Sequence, residues 1–112
     1  MARSVDGWTA GLPLSPLRAG RVALLAVGMN GEPLPIAHGF PARLVVAGLY
    51  GYVSATKWLK SIELTTWDGN DGYWVPRGWS KEGPIKTESR IDVPRGGQRV
   101  VAGPVVIAGV AW

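Results

Sequence analysis

The sequence has no cysteine, a single histidine and a single phenylalanine in 112 residues. The missing cysteine excludes disulfides, thiol nucleophiles and thiolate-held zinc or iron–sulfur clusters from anything the chain does by itself. Long apolar runs are missing too. The best of them, Val22 to Val27, is far short of the ~20 residues that a membrane-spanning helix requires. Met1-Ala2-Arg3-Ser4 leads into polar, turn-like sequence, with none of the apolar core of a signal peptide. Charged residues are only 18% of the chain against 46% hydrophobic, which places it with globular domains rather than disordered tails. Twelve Lys and Arg against eight Asp and Glu leave a formal charge of +4, so anionic partners are favoured. Nucleic acid is not expected among them, because Lys81, Lys86, Arg90, Arg95 and Arg99 are scattered rather than clustered.

What the chain does have is punctuation. Sixteen Gly and nine Pro interrupt every segment before a long helix develops, so strands and loops are expected. The one helical stretch is Leu14 to about Ala23, with Ser15 as the candidate cap, Pro16 in the first turn and Gly20 limiting its length. Val22 to Val27 reads as a buried strand. Asn30-Gly31 is a two-residue hairpin signal that returns Leu34 against that strand. Arg43 to Ala47 is a second buried strand, rich in branched residues. Trp58 to Thr65 alternates, with Trp58, Lys60, Ile62 and Leu64 on one face. Trp67 to Glu82 is loop, with Asp68, Asp71 and likewise Asp6 as turn formers and Trp58, Trp67, Tyr73, Trp74 and Trp79 as core and loop aromatics. Residues 84–112 read as successive sandwich-type strands, and Val105 to Trp112 is a strand with none following it.

Two segments carry residues suited to an anionic ligand. In Ala37-His38-Gly39-Phe40-Pro41-Ala42-Arg43, a glycine lets the backbone approach a ligand closely, and Pro41 fixes the turn that delivers Arg43 to a strand. In Gly48 to Lys57, a Gly-flanked loop offers Ser54, Thr56 and Lys57, whose exposed backbone N–H groups would suit a phosphate. The same residues have a plainer reading: His38 as a turn residue, Arg43 and Lys57 as solvated charges at strand ends.

Three ordered segments, Ala26 to Pro35, His38 to Val46 and Tyr50 to Leu59, resemble the signature of the sulfite oxidase family of molybdopterin-dependent oxidoreductases. Weaker resemblance extends over Ser4 to Gly11 and from Pro84 to Trp112. The resemblance implies a molybdenum held by a pterin dithiolene and one protein cysteine, with oxygen-atom transfer at a sulfur-centred substrate. It implies cofactor-binding roles for His38, Arg43, Ser54, Ala55, Thr56 and Lys57. Tyr73 lies in the neighbourhood of the family's active-site tyrosine, though Tyr73-Trp-Val-Pro-Arg-Gly-Trp79 departs from the family's local sequence.

The expected fold is α+β and predominantly β. Residues 1–83 correspond to the C-terminal part of a molybdopterin-binding domain, and 84–112 to the opening strands of an immunoglobulin-like dimerisation domain. The resemblance implies as partners the N-terminal part of the same domain, a second copy of the parent protein and an electron acceptor, with a periplasmic or membrane-associated parent. Without the molybdenum-ligating cysteine the chain alone is expected to be inactive. The competing expectation is a cofactor-free, β-rich binding or assembly module.

Overall fold

The computed structural model describes residues 1–112. Its centre is a three-stranded antiparallel sheet of β1 (Ala2–Ser4), β2 (Thr9–Ala10) and β7 (Leu59–Ile62), ordered β2-β1-β7. The register sets Ala2 opposite both Ala10 and Ile62, and a bulge after Arg3 brings Ser4 opposite Leu59. Strand alternation turns Ala2 and Ser4 inward and leaves Arg3 outside, where it meets Glu63 at 3.4 Å. That ion pair is solvated on both sides and adds little stability.

A second antiparallel pair joins β3 (Ala23–Ala26) to β6 (Arg43–Val46). Leu44 and Val46 enter the core with Ala2, Leu49 and Val53, and Leu12, Leu17, Tyr52 and Leu59 pack around them. Each side chain of that size, fully buried, contributes roughly 1.5–3 kcal/mol. The one-turn helix α2 (Gly51–Ser54) delivers Val53 to this cluster and sits directly before the Ala55–Trp58 loop.

The hairpin between β4 (Gly28–Met29) and β5 (Glu32–Pro33) turns through Asn30 at φ +54° and Gly31 at φ +80°, the left-handed pair that a two-residue turn demands. Leu34 is thereby buried, and its N–H reaches Val27 O at 3.1 Å.

Several expectations are corrected. The Leu14–Ala23 stretch yields only α1 (Ser15–Arg18). Leu14, not Ser15, occupies the cap position, and the chain leaves the helix near Gly20 at φ +80°. Strand β3 is not buried: Leu24 and Leu25 are 54% and 57% exposed, because only β6 pairs with it and no layer covers its faces. The Trp58–Thr65 strand shrinks to Leu59–Ile62, with Trp58 outside it at φ +48°. Asp71 does more than form a turn, since its carboxylate meets Lys81 Nζ at 2.6 Å. The loop aromatics anchor the loop, as expected, but do not enter the core: Tyr73, Trp74 and Trp79 follow one another onto Tyr52, with ring centroids 4.8–5.2 Å apart. Trp67 and Trp79 remain 39% and 49% exposed. At the C-terminus, β9 (Ala108–Ala111) has its partner upstream, pairing with β8 (Ser89–Val93) as an antiparallel ribbon. The predominantly β, α+β class holds throughout.

Candidate functional site

The site is built around a single 3-10 turn, Ile36–His38, which enters from Pro35 and leaves through Gly39 at φ +116°. A Cβ on Gly39 would lie 3.1 Å from Arg43 Cβ and 3.2 Å from both Cα and Cβ of Lys57. Glycine is therefore what allows the turn to press against both cations at once. Beyond it, the chain from Gly39 to Leu44 runs beside Thr56 to Leu59. Trp58 N donates to Gly39 O at 3.3 Å, Leu59 N to Ala42 O at 2.9 Å and Leu44 N to Thr56 O at 2.9 Å.

Three successive carbonyls of the turn each accept one side-chain donor. Trp58 Nε1 reaches Ile36 O at 2.7 Å, Lys57 Nζ reaches Ala37 O at 3.1 Å and Arg43 Nη1 reaches His38 O at 3.2 Å. These bonds leave donor capacity over, since an ammonium carries three N–H groups and a guanidinium five. Arg43 Nε and the hydroxyl of Thr56 are buried with no hydrogen-bond partner. Thr56 is wholly inaccessible. Both atoms, like Ser4 Oγ, are closed off within the protein, so the donors left for an anionic group are the remaining N–H groups of Lys57 Nζ and of the Arg43 Nη atoms.

His38 and Arg43 thus meet at one turn with Lys57, while Thr56 adjoins them through its bond to the Leu44 backbone. Ala55 lines the cleft beside Lys57. Its N–H is taken up by Gly51 O at 2.9 Å, closing the turn of α2. Ser54 faces the other way: its hydroxyl donates to Leu49 O at 3.1 Å or Tyr50 O at 3.0 Å. Tyr73 does not line the cleft. It packs edge-on to Trp74 under the Arg77 guanidinium, 3.7 Å from its ring centroid.

The cleft itself measures about 230 Å³, and its walls include Asp6, Trp8, Tyr52, Lys57 and Trp58; of the expected cofactor-binding residues only Ala55 and Lys57 line it, while His38, Arg43, Ser54 and Thr56 do not. A larger, more open cavity of about 630 Å³ lies among Arg21, Tyr50 and Trp112 and holds none of these site residues apart from the surrounding scaffold. No cluster of His, Asp or Glu is placed to hold a metal ion.

Asp6 is the residue that sequence reasoning missed. Its Oδ1 accepts the Trp8 backbone N–H at 3.0 Å. That bond holds the carboxyl below its ordinary pKa, with the Lys57 charge adding to the effect. The Asp6-Gly7 pair reads as a turn, which it also is. Only the pairing of β1 with β7, extended by Val5 N donating to Trp58 O at 3.0 Å, brings residue 6 to residue 57.

Two cations held on one glycine-pinched turn, with a carboxylate in the cleft beside Lys57, are the charged groups that the fold gathers here. The chain belongs to the oxidoreductase molybdopterin-binding domain family, whose model matches residues 1–74. It is 44% identical over 78 residues to the uncharacterized oxidoreductase YuiH of Bacillus subtilis, covering 70% of this chain and 38% of that protein. Human mitochondrial sulfite oxidase is 34% identical over 106 residues, covering 80% of this chain and 19% of that protein. An inducible NADH nitrate reductase of Glycine max is 44% identical over 54 residues, covering 48% of this chain and 6% of that protein. The chain therefore spans well under half the length of these relatives. No solved structure matches it.

Proposed function

We propose that this chain supplies one side of the cofactor cradle in a molybdopterin-dependent oxidoreductase that moves an oxygen atom to or from a sulfur-centred substrate. The observation that carries the reading is the convergence of Arg43 and Lys57 on the turn at Gly39, each with N–H groups beyond the one it gives to the turn. Arg43 and Lys57 would hold the anionic end of the pterin, His38 and Ala55 would border it, and Thr56 would act from beneath through its backbone bond to Leu44. Asp6, whose carboxylate already accepts the Trp8 backbone N–H, would accept from N–H groups of the ligand with its remaining lone pairs. Bound molybdopterin would supply two-electron chemistry at its metal. Because the 112 residues contain no cysteine, a thiolate ligand to that metal would come from elsewhere in the protein.

The sulfur-centred substrate is favoured by the sulfite oxidases among the relatives, which align with 80% of the chain, against 48% for the nitrate reductase. In this reading residues 1–83 belong to the cofactor domain. The β8–β9 ribbon within 84–112 opens a dimerisation domain through which two copies of the parent protein associate. Reducing equivalents would pass to a separate electron acceptor.

The test is to express the full-length protein containing this chain in a host that makes the cofactor, and to measure molybdenum and pterin per protein. Near-stoichiometric content of both is expected. A folded protein that retains neither would leave these motifs as scaffold and make a cofactor-free binding or assembly module the better reading.

A further inference from the structure

Trp58 occupies a backbone conformation that a bulky side chain rarely adopts, at φ +48°. Such a residue persists only where its surroundings hold it in place, and here three contacts do so. Its indole Nε1 donates to Ile36 O at 2.7 Å, its backbone N–H donates to Gly39 O at 3.3 Å, and its carbonyl accepts from Val5 N at 3.0 Å. The ring also lies under the Lys57 ammonium, 4.4 Å from Nζ to the ring centroid, and forms part of the cleft wall. One residue thereby joins the His38 turn, the Lys57 cation and the segment after β1 that carries Asp6.

The three donors on the turn are not equivalent. Lys57 and Arg43 are charged and retain N–H groups for an anion, so each divides its donors between the turn and a ligand. The indole has one N–H, no charge and no second donor to offer, and that N–H is committed to Ile36 O. Of the three, it alone serves the turn and nothing else, so a ligand that draws on the cations leaves its bond untouched.

We propose that Trp58 is a positioning residue for the cradle, fixing the separation between the His38 turn and Lys57 so that Arg43 and Lys57 address one anionic group together. This rests on the cofactor-cradle reading above. The strained backbone and the indole bond are two parts of one device: the left-handed turn at residue 58 aims the ring back over residues 36–39 while β7 continues away.

The experiment uses the full-length protein loaded with molybdopterin. Trp58→Phe keeps an aromatic ring beneath Lys57 and deletes the N–H, whereas Trp58→His returns a ring N–H at nearly the same reach. Pterin retained after extensive dialysis and the thermal midpoint are measured for each, alone and combined with Lys57→Ala. The expected result is a roughly tenfold loss of retention in Trp58→Phe with a near-wild-type midpoint, partial recovery in Trp58→His, and little further loss when Trp58→Phe is added to Lys57→Ala. The last outcome separates positioning from general support, since a merely structural tryptophan gives additive losses that track the midpoint. Wild-type retention in Trp58→Phe overturns the proposal. So does a loss matched by a lowered midpoint and additive with Lys57→Ala. If Trp58→Phe does not fold, Trp58→His and the Lys57→Ala background decide by the same two criteria. A wild-type protein that retains no pterin overturns the cradle reading itself and, with it, the role assigned to Trp58.

Discussion

Arg43 and Lys57 are each tied to a carbonyl of the same turn, and both carry donors beyond that bond. A charge-assisted hydrogen bond contributes about 1.5–3 kcal/mol, so removing either cation should lower pterin affinity by about ten- to a hundredfold. Arg43→Ala and Lys57→Ala in the full-length protein are therefore expected to retain little pterin, as read from its fluorescence after release; wild-type content in both would remove the basis of the site. Thr56 permits a sharper separation. Its hydroxyl is inaccessible and has no partner in the protein, so the chain bears an uncompensated desolvation penalty there. Thr56→Val removes that group at nearly constant volume. It should raise the stability by about 1 kcal/mol and leave pterin retention unchanged, since the hydroxyl is closed to any ligand. Urea melts of the unloaded protein and pterin assays of the loaded one check the two halves, and a destabilised variant would mean that the hydroxyl has a structural partner after all.

Elements defined by neighbouring residues were legible in the sequence, and those defined by distant ones were not. The Asn30-Gly31 hairpin is local: two residues able to adopt positive φ suffice to set it, and they do so at +54° and +80°. Strand β6 was legible from its branched residues, and Arg43 lies at its first position as the sequence predicts. That the Val22–Val27 run forms a strand was also legible, but burial is a property of what packs on it, and nothing packs on the faces of β3. His38, Arg43 and Lys57, which the structure brings to one turn, lie in motifs visible in the sequence. Asp6 could not be placed with them from sequence, because its approach to Lys57 depends on strands more than fifty positions apart. The same distinction between paired and covered strands yields a prediction for the β8–β9 ribbon. All residues of both strands are exposed, and an isolated two-stranded ribbon is marginal in water. Hydrogen exchange should therefore be orders of magnitude faster along Ser89–Val93 than at Leu44, whose amide is bonded to Thr56 O at 2.9 Å beside the core. Comparable protection in the two places would mean that the ribbon has a covering layer in solution.

At the scale of the whole chain, the dimensions conflict with those of a self-sufficient domain. The Cα radius of gyration is 18.0 Å, where a compact chain of this length has about 13 Å. The accessible surface is 8049 Å², against about 6,000 Å² for a compact monomer of this mass. Much of the excess is apolar: Leu24 and Leu25 on β3, Ile91 on β8 and Val101, Val106 and Ile107 in the approach to β9 are all more than half exposed. The three two-stranded ribbons also present open edges that can pair with another chain. Apolar faces beside open edges drive association unless another surface covers them. The 112-residue chain by itself is therefore expected to self-associate at micromolar concentrations and to melt over a broad range with a small denaturant dependence, because few groups are buried to act cooperatively. Sedimentation velocity across a hundredfold concentration range, paired with urea titration, reads both properties. Leu25→Glu combined with Ile91→Lys should shift the distribution toward monomer without sharpening the melt, since the substitutions remove adhesive surface but add no core. A wild-type chain that stays monomeric throughout and unfolds in one steep transition would instead be a stable module in its own right. That result would move the weight of the functional reading from a cofactor cradle completed by other parts of the protein to a binding or assembly domain that needs none.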